Sequence, residues 1–106
     1  SGVQIAVDAG KVPHIPEAAS YFMKGFAPEG DYANKNFCKK KVHTQGRIKE
    51  GVLGLLFDAQ TSGGLLIAVS EEKTEKLLRR LSKKGLTGFE VVGLVQEGPP
   101  GITIRP

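Results

Sequence analysis

The run Gln60-Thr61-Ser62-Gly63-Gly64 brings together the residue types in this chain best suited to holding a small anion. Adjacent glycines let the backbone turn tightly and let another group approach closely. Successive backbone N–H groups in such a turn can form an anion-binding nest, and the Thr61 and Ser62 hydroxyls add donors beside it. Gln60, Thr61, Ser62, Gly63 and Gly64 are therefore the candidate binding residues. A plain connection is the alternative, in which Asp58, Thr61 and Ser62 satisfy local backbone groups. The loop is not a Walker A sequence, because no Gly-Lys-Ser/Thr follows, and it lacks the G-x-G-x-x-G spacing. Its spelling alone names no ligand.

Other chemistry is sparse. His14 and His43 have no Cys or carboxylate at zinc-ligand spacing, so no protein-held metal is expected. Cys38 lies among lysines that would favour its thiolate, but no base accompanies it. Asp8, Asp58 and the helix glutamates show no acid/base pairing. A basic stretch (Lys35, Lys39, Lys40, Lys41, Arg47, Lys49) with Tyr32 and Phe37 nearby could attract nucleic acid by charge and stacking. Its charges follow no recognised motif, and a solvated loop is the expected reading, with no nucleic-acid partner.

The elements that must position these residues follow from pattern. The chain has 106 residues, 40% hydrophobic and 25% charged, which suits one globular α+β domain with a core of its own. Its formal net charge is +4, and its one cysteine rules out an internal disulfide and fits a reducing, cytoplasmic setting. No apolar run is long enough to span a membrane, and no membrane partner is expected. Residues 3–7 alternate at period two and predict a strand. Pro13 and Pro16 stiffen the connector after it and lead into a helix over residues 17–24, closed by Gly25. Periodicity fades over residues 26–50, where a short strand, a half-turn or a functional segment is expected. Two buried apolar runs, residues 53–57 and 65–69, then flank the polar loop, the second as a strand. Ser70, Glu71 and Glu72 open a helix that runs to Lys84 and stops at Gly85. Strands are predicted over residues 89–96 and 102–104. The expected architecture is a mixed or antiparallel sheet with helices packed on it.

The run Phe57-Asp58-Ala59-Gln60-Thr61-Ser62-Gly63-Gly64-Leu65-Leu66 resembles the D-P/A-Q-T-S-G-G-L-L signature of the selenophosphate synthetases (selenide, water dikinases). Residues 3–7, Lys11-Val12-Pro13 and Ile15-Pro16-Glu17-Ala18 are similar to that family's strand, connector and helix. Gly30-Asp31-Tyr32-Ala33-Asn34-Lys35-Asn36-Phe37 resembles its GGTYRNRNF-like segment. Helix 71–84, Val91-Val92-Gly93 and Ile102-Thr103-Ile104 follow in the family's order. Two departures are mild. Lys35 stands where the family often has Arg, and Ala59 where Pro is common although Ala occurs.

The resemblance implies the C-terminal domain of a two-domain enzyme in the aminoimidazole ribonucleotide synthetase-like superfamily, partly like a ferredoxin fold. Residues 1–106 would be that one domain, truncated, with the family's helix before the first strand missing. The family's full enzyme makes selenophosphate, AMP and phosphate from selenide, ATP and water, with Mg2+. Its reactive Cys or selenocysteine, its Lys and its metal-binding aspartates belong to an N-terminal domain. That domain would be this chain's partner, within a homodimer. Cys38 does not match the nucleophile, so the chain is expected to be inactive alone, with neither ATP nor Mg2+ bound to it. On this reading Gln60, Thr61, Ser62, Gly63 and Gly64 would face the cleft between the domains and hold a phosphate or the departing selenophosphate, or else only shape the cleft wall. The alternatives are the same domain from a related purine- or thiamine-pathway enzyme, against which the D-A-Q-T-S-G-G spelling speaks, and a basic nucleic-acid or protein binding module.

Overall fold

A computed structural model describes residues 2–106. Strand β1 (Gln4–Asp8) realises the alternation of its sequence, with Ala6 and Asp8 both buried on one face. One turn of 3-10 helix (Ala9–Lys11) follows, and the proline connector leads to α1 (Ala18–Met23). Gly25, at φ 87°, ends that helix as expected.

The segment without clear periodicity holds two elements. Helix α2 (Glu29–Cys38) starts after extended Pro28 and carries Glu29 and Asp31 in its first turn, where the helix dipole favours them. Strand β2 (Val42–Thr44) comes next. The short strand was expected there; the helix was not.

Helix α3 (Glu50–Leu55) replaces the first of the two expected apolar runs. Gly51 and Gly54, three apart on one helix face, lie against α1. A side chain on Gly54 would run into the ring of Phe22, and one on Gly51 would meet the Ala19 carbonyl oxygen. The two helices approach through bare backbone, an arrangement that needs glycine at helical spacing. Leu53, Leu55 and Leu56 therefore belong to a short packed helix and its end, not to a buried strand.

Residues 65–69 form no strand. Leu65 and Leu66 are 90% and 85% exposed, and Ile67 and Val69 are exposed as well. A strand is stabilised by ladder bonds and cross-strand contacts, and none of the four strands pairs with this run. Helix α4 (Glu71–Lys83) then begins at Ser70, with Glu71 and Glu72 in its first turn and Arg80 and Lys83 in its last. Gly85, at φ 75°, closes it. The Ser70 hydroxyl makes no capping bond; its carbonyl instead receives the Lys73 N–H at 2.9 Å.

Strand β3 (Gly93–Gln96) is shorter than the expected 89–96, and β4 (Gly101–Arg105) contains the predicted 102–104. The sheet order is β2-β4-β1-β3, with β4 parallel to both β2 and β1 and β3 antiparallel to β1. Its mixed character and the helices around it make an α+β fold. Consecutive strands β3 and β4 are not neighbours, because β1 lies between them. Gln4 ties this arrangement laterally: its Oε1 accepts from Gln96 Nε2 at 2.7 Å, and its Nε2 donates to Thr103 Oγ1 at 3.4 Å.

The core is small. Ala6, Ala9 and Ile104 are its buried apolar residues, while Ile15, Phe26, Phe37, Leu65 and Leu66 are each at least 70% exposed. The surface measures 8545 Å², against about 5,700 Å² for a close-packed monomer of this mass.

Candidate functional site

Helix α2 holds the entry to the glycine loop. Asp31 and Asn34 stand three residues apart, on one face of that helix. Asn34 Nδ2 donates to the Phe57 carbonyl at 2.9 Å, and the Ala59 N–H donates to Asp31 Oδ1 at 3.2 Å. Gly30, in the first turn of α2, comes so close to Ala59 that an added Cβ would lie 3.1 Å from the Ala59 methyl. One side-chain acceptor and one side-chain donor thus fix both polar groups of the chain as it leaves α3. Ala59 makes this bond with an N–H that proline would lack.

Beyond that anchor the loop is open. Gln60, Thr61, Ser62, Gly63 and Gly64 are all exposed. Gln60 Nε2 folds back to donate to Asp58 Oδ2, which occupies its amide, and the Thr61 N–H donates to the Ala59 carbonyl at 3.1 Å. Among the described residues, the N–H groups of Ser62, Gly63 and Gly64 and the hydroxyls of Thr61 and Ser62 make no hydrogen bond within the protein. Three consecutive backbone donors and two hydroxyls on exposed residues are therefore without protein partners. Neither Gly63 nor Gly64 has a positive φ, so left-handed backbone is not the reason for glycine at either position. A Cβ on Gly63 would meet the Gln60 side chain at 2.8 Å, whereas Gly64 faces open space.

Asp31 is the group that pattern reading passed over. It is 4% exposed, and its Oδ2 is buried with no hydrogen-bond partner. Burial pushes its pKa up, the Ala59 N–H works against that, and the neighbouring Asp58 carboxylate raises it further. Two carboxyl groups thus flank the base of a loop whose outer donors suit an anion. The signal for this was present in the i, i+3 spacing of Asp31 and Asn34, but it becomes legible only once residues 29–38 are known to be helical.

The remaining candidates stand apart from the loop chemistry. His14 is exposed, with Nδ1 2.9 Å from the Val12 carbonyl oxygen. His43 lies exposed on β2, and Cys38 is half-buried at the end of α2. Among the described residues no three His, Cys, Asp or Glu side chains come together to hold a metal ion. The residues present do not fit a magnesium site, which wants several oxygen ligands in octahedral array. No helix is long and apolar enough to cross a membrane.

Comparison with known proteins decides the family. The chain is 48% identical over 97 residues to a selenide, water dikinase of Caldanaerobacter subterraneus subsp. tengcongensis, an alignment covering 92% of this chain and 28% of that protein. It is 40% identical over 99 residues to the selenide, water dikinase of Pelobacter propionicus, covering 93% of this chain and 28% of the relative. The chain belongs to the selenide, water dikinase family. The enzyme of the same name from Clostridioides difficile is 36% identical over 98% of this chain and 30% of its own length. No family model matches the chain. It spans less than a third of the length of these selenide, water dikinases.

Proposed function

We propose that this chain is the C-terminal domain of an enzyme that makes selenophosphate, AMP and phosphate from selenide, ATP and water. The observation that carries the reading is the family membership over nearly the whole chain, combined with relatives about three times as long. ATP and Mg2+ would be held by an N-terminal domain of the same polypeptide, within a homodimer, and the 106-residue chain alone would not turn over. The large exposed apolar surface supports this division, since residues 65–69 and several other apolar side chains want a covering body.

Within that enzyme, the unpartnered donors of Thr61, Ser62, Gly63 and Gly64 would line the inter-domain cleft and bind a phosphoryl or selenophosphoryl oxygen. Preorganised donors of this kind stabilise charge as it develops in the transition state. Gln60 joins them only by releasing Asp58; while it stays bound there, it acts as a brace for the loop.

A chimera tests the assignment. The corresponding segment of the Caldanaerobacter relative is replaced by this chain, and selenide-dependent AMP formation is measured. Activity within about tenfold of the relative's own is expected, a difference of about 1.4 kcal/mol in the barrier. A folded, dimeric chimera without activity would overturn the proposal.

A further inference from the structure

Asp31 and Asp58 also line a separate feature, a cavity of about 300 Å³ whose walls include Tyr21, Phe22, Phe26 and Leu55. The walls are aromatic and aliphatic, and the polar side is two carboxyl groups. Neither carboxyl has a cationic partner: among the described residues the ion pairs are Lys11–Asp8, Arg79–Glu75 and Arg105–Asp8. Asp31 Oδ2 is buried without a donor, although buried carboxylates in folded proteins are almost always paired or hydrogen-bonded. The pKa of Asp31 is raised first by burial, and the Asp58 carboxyl beside it adds to the rise. Lys24 Nζ sits 5.5 Å from the centre of the Tyr21 ring and, among the described residues, forms no ion pair with either carboxyl. That contact shows the Tyr21 ring face accepting a cation.

We propose that this cavity binds a small alkylammonium ligand, its ammonium between Asp31 and Asp58 and its aliphatic chain against Tyr21, Phe22 and Leu55. An ammonium offers three donors, one of them to Asp31 Oδ2, which has none, and it offsets the repulsion between two like charges. The surrounding rings supply both apolar contact and a negative face toward the cation. A divalent metal fits less well, since two carboxylates leave most of its coordination sphere unfilled.

The probe is n-butylammonium chloride, titrated into the full chain while the Ala59 amide is followed by NMR. That amide is bonded to Asp31 Oδ1 and reports directly on the carboxylate. Saturable shifts of Ala59 and of the Tyr21 ring are expected, with n-butanol giving none. Asp31→Asn keeps an oxygen for the Ala59 N–H and should bind at least about tenfold more weakly, the loss expected for a charged hydrogen bond. Asp58→Asn should weaken binding in the same direction. Lys11→Gln, outside the cavity, should bind as the unsubstituted chain does. Saturation by butanol equal to that by butylammonium would reduce the cavity to an apolar cleft and overturn the proposal. So would the absence of any saturable shift, or unchanged affinity in a folded Asp31→Asn protein.

Discussion

Asp8 and Arg105 stand opposite each other at the last step of the parallel β1–β4 register, and the Arg105 Nε–H donates to Asp8 Oδ1. Lys11 Nζ takes the other oxygen at 2.9 Å. A carboxylate at the end of the central strand pair is thus held by two cations from different elements. The hydrogen bond from Arg105, then that from Lys11, lowers the Asp8 pKa to about 2 from an ordinary 3.8. A pKa depressed by folding adds stability above the unfolded value and loses it as pH falls through the folded one. Native stability should therefore drop between pH 4 and about 2 through Asp8. Asp8→Asn should flatten that drop, as read from urea unfolding midpoints at stepped pH.

Asp31 acts in the opposite sense. Its pKa is raised in the folded protein, first by burial, so its favourable contribution is complete below the unfolded value and fades as pH rises through the folded one. Asp31→Asn should gain stability relative to the unsubstituted chain as pH rises from 4 toward neutrality. The same unfolding series measures it, and a constant difference across that range would contradict the prediction.

Two glycines should respond in contrasting ways. Gly54→Val forces a side chain into the Phe22 ring and should cost about 1–3 kcal/mol by overpacking. Gly64→Val enters open space at a residue without positive φ, and should change stability by less than about 0.5 kcal/mol. Denaturant unfolding of the two variants, compared at equal m-value, checks both.

Ala59→Pro removes the N–H that serves Asp31 Oδ1. Leaving that buried acceptor unpaired should cost about 1–3 kcal/mol, reduced by the roughly 0.4–1 kcal/mol that a stiffer unfolded chain returns. The Asp31 pKa should also rise further, because a hydrogen bond to its charged form is lost. Carboxyl-carbon NMR titration measures the pKa directly.

Thr61→Val addresses the loop within an active parent or chimera. The hydroxyl makes no hydrogen bond within the protein and is exposed, so stability should hardly move. If the loop holds a phosphoryl or selenophosphoryl oxygen, turnover should fall by roughly tenfold to a few hundredfold, as for loss of one oxyanion donor. Unchanged AMP formation with intact folding would remove the Thr61 hydroxyl from the candidate donors, leaving the Ser62 hydroxyl and the backbone N–H groups.

How much of this was legible beforehand depends on where the signal resides. Strand β1 and helices α1 and α4 announce themselves locally, through alternation, Pro16, Ser70, the paired glutamates and the terminal glycines. Helix α2 was hidden because its face is mostly polar; its ordering comes from Asp31 and Asn34 gripping residues 57–59, contacts between positions far apart in sequence. Helix α3 was hidden because LGLL reads equally well as a buried strand, and only the fit of Gly51 and Gly54 against α1 separates the two. Residues 65–69 show the reverse error. Their composition is that of a strand, but composition cannot supply the neighbour a ladder requires. Residues 60–64 do form an exposed loop with Asp58 at its base, as adjacency in sequence implies, while Asp31 joined it only through tertiary placement.

The pairing of β1 with β4 also sets an order of events during synthesis. Asp8 and Arg105 are 97 positions apart in sequence, yet their strands form the middle of the sheet. As the chain emerges from the ribosome, β2 has no neighbour and β1 has at most β3 until residues 101–105 are out. Helices α1 and α3 can associate before that, because both have emerged once residue 55 is out. The sheet must wait, and pairing strands this far apart in sequence slows folding through the entropy of closing long loops. During that interval the nascent chain carries its strand edges and leucine-rich runs uncovered, the condition in which folding intermediates aggregate.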